Sequence, residues 1–364
     1  MPIIVVILLI IFAFFYWGGD DNKTTPPPVA KKEVVKPNQK RVEPKVVKTT
    51  TKKEVVKPKV VEKPKPKKVV VKPTTIKGIY KYSGGKAGDK TGNLSSARYS
   101  YPTSLYSSGK SLYIIDEGNK NIKVVFKNKV SKIVPYEKRK FSKKVKHLKI
   151  QKLSSIVTYQ DKIYVINYWK NSVYILAQDG LFKGKIKGKY ENKFNRPESI
   201  VVKDGKLYLS DTNNNKILSI VDKKHISTFT GDSKGSKDGS LSSATFYKPS
   251  KLVYDNKNTL YVVDGFYSRI RVIKNGKVTT LKIPELKNQS INTIAYGANR
   301  LFIYSKSKGR LYIYNTKKNK IVSLKDNISK KIGTIADMAY YNNALIVTNS
   351  DTNRLYKIVF NFSN

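Results

Sequence analysis

Apolar and polar side chains alternate with a period of two along most of residues 79–364, in short runs set apart by Gly, Asn, Asp and Lys clusters. Such alternation marks strands with one buried face. One run is denser than the rest and recurs six times, as LYIID ending at Asp116, IYVIN at Asn167, LYLSD at Asp211, LYVVD at Asp264, LFIYS at Ser305 and LIVTN at Asn349. The intervals between these ends are 51, 44, 53, 41 and 44 residues, too long for one hairpin and suited to a four-stranded antiparallel sheet. A second alternating segment precedes each tail: YPTSLYS, LSSIVTY, RPESIVV, KPSKLVY, SINTIAY and TIADMAY. A third follows it, as in NIKVVF, KILSIV and RIRVIK, and where a unit is complete a fourth comes after that.

The repeat is also visible residue by residue. Ile226–Ile273 aligns with Ile79–Val125 through Gly84/Gly231, Gly88/Gly235, Gly92/Gly239, the run LSSA, and Pro102/Pro249, then after one inserted residue through Asp116/Asp264 and Ile122/Ile270. The sixth unit reaches Asn364 with no room for a fourth strand, while residues 79–83, IYKYS, match ISTFT at 226–230, the fourth strand of the third unit. The first strand is therefore expected to complete the last sheet, closing a six-bladed ring and removing its open edges.

A Gly-rich loop, Ala, Phe or Tyr, Pro, an apolar pair, then L-Y-V-x-D and R-I-R-V: this order resembles the NHL-repeat family of β-propellers over residues 79–364. The resemblance implies an all-β six-bladed propeller that presents a flat face to a protein, peptide or nucleic acid. Some members and relatives are metal-dependent lyases or hydrolases, whose sites need histidines or convergent carboxylates near the channel. Here only His147 and His225 exist, so a three-histidine zinc site is impossible. No nucleophile motif marks a Ser-His-Asp set either. The expectation is a binding module without catalysis and without a cofactor, calcium bound by carboxylates remaining open.

What precedes the ring changes the picture of where it works. Residues 1–19, MPIIVVILLIIFAFFYWGG, are apolar and end in an aromatic pair; at about 1.5 Å per residue they reach ~28 Å, close to the hydrocarbon thickness of a bilayer. An uncleaved anchor is expected, since neither a basic start nor a small-x-small cleavage site is present for a signal peptide. Residues 20–78 form a Pro/Lys/Val-rich linker with nine prolines and a net charge of +12, in which KKEVVKP occurs twice. Such a segment is expected to be a disordered, extended spacer. Lysines just after the span favour a cytoplasmic ring by the positive-inside bias, but long domains translocate regardless of it, and the spacer suits an extracytoplasmic ring.

Charge supplies the candidate binding residues. The chain carries 72 Lys and Arg against 25 Asp and Glu, with 63 Lys to 9 Arg and no Cys. Lysine dominance points to general solvation or an anionic polymer ahead of nucleic acid, whose phosphates and bases favour the Arg fork. The densest cluster, Lys138, Arg139, Lys140, Lys143, Lys144, Lys146 and Lys149, interleaves Phe141 and His147 between the first two blades. The Gly-rich loops 84–98 and 231–245 belong to opposed blades and are expected to overhang one channel mouth, with Lys86, Lys90, Lys234 and Lys237 facing an anionic partner. Asp116, Asp211 and Asp264 occupy equivalent repeat positions, each opening a turn, and are expected to cap those turns.

Overall fold

The computed structural model describes residues 74–139, 144–148, 150–189, 193–255 and 257–362. Six antiparallel sheets form the blades of a propeller. In blade 1 the inner strand Pro102–Ser107 is followed outward by Leu112–Asp116, Asn121–Phe126 and Lys129–Ile133. Blades 2 to 5 repeat this order from inner strands Leu153–Tyr159, Pro197–Lys203, Pro249–Tyr254 and Ile291–Gly297. Blade 6 has Met338–Tyr341 innermost, then Ala344–Asn349 and Arg354–Asn361, and the N-terminal strand Thr75–Gly84 lies outermost.

Closure by the N-terminal strand is thus observed, with Ile79 opposite Ile358 and Ser83 opposite Leu355. The strand begins at Thr75, four residues before the expected boundary, so the start of the ring takes residues assigned to the linker. The apolar stretch 1–19 and linker residues 20–73 lie outside the described residues. Among those described, no helix is long and apolar enough to cross a membrane.

The second strand of each blade is dense in apolar residues because both of its faces are covered. Leu112–Asp116, Leu260–Asp264 and Ala344–Asn349 are buried at every position. Six apolar clusters fill the six seams between neighbouring blades, the one at the closure bringing Ala339, Ile346 and Leu355 against Leu105 and Ile114. Burying one such Leu or Ile contributes roughly 1.5–3 kcal/mol, and the seams hold the ring together without disulfides, the chain having no Cys.

Neighbouring blades are also latched on one face. The residue just before the inner strand is left-handed in blades 1 to 4: Tyr101, Lys152, Arg196 and Lys248 have φ of 53°, 57°, 53° and 58°. Each gives its backbone N–H to a turn side chain of the preceding blade: Asn353 Oδ1, Glu117 Oε1, Asn171 Oδ1 and Asn215 Oδ1. Non-glycine residues in this region cost about 1–3 kcal/mol apiece, which the latches and the flanking ladder offset. The latches thus fix the backbone at Tyr101, Lys152, Arg196 and Lys248 on one face of the ring, and of the four, Arg196 lines an axial cavity.

Candidate functional site

Aligned on the repeat, the inner strands supply two columns of residues where the channel opens. Thr103, Ser154, Glu198, Ser250, Asn292 and Ala336 form the first, and Ser104, Ser155, Ser199, Lys251, Thr293 and Asp337 the second. Small hydroxyls dominate because six strands converge on the axis and leave little room. Two charges interrupt the second column, and they meet. Lys251 Nζ sits 2.7 Å from both oxygens of Asp337, joining blade 4 to blade 6 within the channel.

Asp337 also accepts from Thr293 Oγ1 at 2.7 Å, Leu105 N at 3.0 Å and Ser104 Oγ at 3.1 Å. Blades 1, 4, 5 and 6 therefore converge on one carboxylate that is 6% exposed. A buried charge needs this degree of satisfaction to be tolerated. The pair separates two cavities. Toward the latched face lies a polar one of about 180 Å³, walled by Thr103, Ser154, Tyr168, Arg196, Glu198 and Asn292 among others. On the other side is one of about 260 Å³ with a largely apolar and tyrosine wall, including Tyr106, Tyr254, Tyr296 and Tyr340.

In the polar cavity Glu198 differs from Asp337. Its carboxylate approaches Arg196 Nε at 3.5 Å, with Glu198 33% and Arg196 59% exposed, and among the described residues it accepts no hydrogen bond. Burial pushes its carboxyl above the usual range, Arg196 and Lys248 pulling the other way. The Arg196 guanidinium lies 5.8 Å from the Tyr168 ring, and Lys152 Nζ lies 4.9 Å from that of Trp169, which is 69% exposed.

The expected site residues are placed elsewhere. The Gly-rich loops line neither axial cavity: Gly92–Asn93 and Gly239–Ser240 add a fifth strand to the outer edges of blades 1 and 4, and Ala87 and Lys234 bridge to Tyr99 and Phe246 ahead of the inner strands. What holds them there is a buried cation on the third strand. Arg271, fully buried, donates to the carbonyls of Thr245 and Lys237 and to Asp238 and Asp264. Its repeat counterpart Lys123 meets Asp89 at 2.5 Å and Asp116 at 3.8 Å. The second basic residue of RIRV and the Lys of NIKV thus serve the loop, a role their alternation with apolar residues conceals.

Lys86, Lys90, Lys234 and Lys237 are exposed on those loops, Lys234 Nζ lying 4.4 Å from the Tyr247 ring, and none lines either axial cavity. In the blade 1–2 connection, Tyr136–Lys138 pairs with Val145–His147 as a hairpin, Lys138 opposite Val145 and Lys146 opposite Glu137. Tyr136 Oη docks it to Asp179 at 2.8 Å. Arg139 and Lys144 adjoin this hairpin; Lys140, Lys143 and Lys149 lie outside the described residues. His147 is exposed here and His225 pairs with Asp222 in an exposed turn, both away from the channel walls.

Asp116, Asp211 and Asp264 accept backbone N–H bonds, but from the segment entering the inner strand rather than from the turn itself. The donors are Ser100, Asn195 and Tyr247 at 2.7–2.8 Å. Within the turn, Asn119 and Asn214 side chains add a bond to Asp116 and Asp211. Burial pushes Asp116 and Asp211 up to about 6 despite these bonds.

No family model matches the chain, and no curated protein matches it. Solved structures do. A streptogramin B lyase superposes with a TM-score of 0.52 at 13% identity, covering 75% of this chain and 97% of that one. A catalytically inactive virginiamycin B lyase from Staphylococcus aureus, crystallised with quinupristin, gives 0.52 at 16% identity over 78% and 99%. The extracellular domain of a proposed one component system from B. thetaiotaomicron gives 0.50 at 14% over 75% of this chain and 35% of that one. These likenesses show the fold. They reach lyases and an extracellular domain alike, so the site's own residues must carry any reading of function.

Proposed function

We propose that this chain is a membrane-tethered, non-catalytic binding module whose ligand enters the polar mouth of the channel. The supporting observation is how the axial charges are used. Asp337 is saturated by donors from three other blades, Lys251 among them, and the nearest unshared carboxylate, Glu198, has an arginine beside it in place of a proton-transfer partner. A general acid–base pair needs two groups whose environments drive their pKa values apart within reach of one substrate; this mouth offers one such group, framed by hydroxyls, an amide and aromatics. In this reading residues 1–19 anchor the chain, the basic linker holds the ring away from the bilayer, and the ring faces outward from the cytoplasm. Kinship with NHL-repeat propellers rests on the sequence motif, and the exposed lysines of loops 84–98 and 231–245, with Lys138, Lys144 and Lys146 of the blade 1–2 connection, offer a peripheral basic surface to an anionic envelope polymer.

The test is a photo-crosslinking residue in place of Trp169 in the full chain, in the cells that make it. A discrete adduct with an envelope component is expected, absent when the same residue replaces Phe126, which is exposed at the end of the third strand of blade 1. Equal labelling from both positions, or none from either, overturns the mouth as the binding site.

A further inference from the structure

Within that binding reading, on which this step rests, we infer that the polar mouth takes a sugar ring bearing an acidic substituent, as found in uronate-containing or phosphorylated saccharides. The ligand chemistry follows from what the mouth lacks and what it offers. Glu198 is a half-buried carboxylate with unfilled acceptor capacity, since Arg196 Nε at 3.5 Å is its one ion-pair partner and no hydrogen bond reaches it among the described residues. Its complement is a donor supplied from outside: a hydroxyl or an ammonium.

The surroundings decide between those two. Arg196 and Lys248 stand beside Glu198, Lys152 stands over Trp169, and the ring as a whole has 54 Lys and Arg against 19 Asp and Glu. A cationic ligand would enter a field of its own sign, whereas a hydroxyl donor carrying a negative group is drawn in. Ser154 and Asn292, from blades 2 and 5 at the level of Glu198, spend their own donors on the carbonyls of Pro197 and of Ile335 and Ala336, and their oxygens add acceptors for further ring hydroxyls.

The aromatic wall supplies the third element. Tyr168 lines the cavity and Trp169 follows it in the same turn with its indole in water. An exposed indole costs apolar hydration and is favoured where an apolar face comes to cover it, and the C–H face of a pyranose is such a surface. A carboxylate for hydroxyls, a platform for the ring face and flanking cations for an acidic substituent thus converge on the seam of blades 2 and 3. A cavity of about 180 Å³ admits one sugar residue, with the remainder of the chain lying out over Trp169.

The test is an array of neutral, uronate-bearing and phosphorylated saccharides, probed with the fluorophore-labelled full chain. A second readout follows Trp169 emission in a Trp17→Phe chain, where it is the sole indole. Acidic saccharides should bind and shift the emission, and Glu198→Gln and Trp169→Ala, both changes at solvent-accessible side chains, should weaken binding at least tenfold while melting stays unchanged. Binding that ignores both substitutions, binding confined to neutral sugars, or no saccharide bound overturns the inference. If instead a peptide is the adduct found by crosslinking at position 169, the mouth remains a binding site and the saccharide assignment alone fails.

Discussion

Removing Lys251 tests whether the channel charges hold the ring together. Coulomb's law for charges 2.7 Å apart at an effective dielectric near 20 gives an attraction of about 6 kcal/mol. Desolvation offsets this by several kcal/mol per ion, so the pair itself is worth little against an apolar pair of the same volume. Breaking it is another matter. With Lys251→Met, Asp337 keeps its three neutral donors and loses its only cation, and stripping one partner from a buried pair costs roughly 3–5 kcal/mol. We expect the low end, about 3 kcal/mol, because Ser104, Leu105 and Thr293 still solvate the carboxylate. For a domain this large that is a fall in Tm of roughly 5 °C. Lys251→Met with Asp337→Asn should recover at least half of the loss, a coupling of about 1.5 kcal/mol or more read from the double-mutant cycle in thermal and urea unfolding. A single-mutant loss under about 1 kcal/mol, or strictly additive effects, would refute the view that four blades depend on this carboxylate.

Three further outcomes follow from the fold. Arg271→Met removes the donor to two loop carbonyls and two carboxylates, leaving Asp264 and Asp238 without it; a loss of about 3–5 kcal/mol is expected, with new proteolytic cuts confined to 231–245. Burial raises Asp211 from 3.8 to about 6, so the folded state binds its proton more tightly: this stability is complete below about pH 4 and is lost as the pH rises through about 6. Asp211→Asn should flatten that part of the pH profile and change stability by less than about 1 kcal/mol at pH 7, because Asn167 and Asn349 already fill the position in blades 2 and 6; urea midpoints at pH 4.5 and 7 check it. Ile79→Pro removes a ladder donor opposite Ile358, and hydrogen exchange should show protection lost across Arg354–Asn361 while blade 3 is unaffected.

Much of this architecture is legible in the sequence, because strand alternation and the recurring tail are imposed by burial at every blade. Closure was legible too, since IYKYS had no other sheet to complete. The anchoring of the loops is hidden for a physical reason: Lys123 and Arg271 occupy alternating positions typical of solvent-facing side chains, yet each points into a loop that folds over it. The mouth left a trace that passed unread. In the columns running through Ser104 and Thr103, where the other units carry Ser, Thr, Asn or Ala, Lys251, Asp337 and Glu198 break the pattern, and an axial position is where a charge has least room to be incidental. Which of them would pair and which would stay unshared depends on distances across the channel, and no linear spacing encodes those.

The pairing of Thr75–Gly84 with Arg354–Asn361 also dictates the order of assembly. The partners are at least 270 residues apart in the chain, so the entropy of joining them comes due only after every other blade exists. During synthesis the first strand must wait, unpaired, for the last one to leave the ribosome, and until then blade 6 shows an open edge to its surroundings. A nascent ring is therefore most vulnerable to association with other chains at its final step, and anything that holds Thr75–Gly84 elsewhere keeps the circle from being completed.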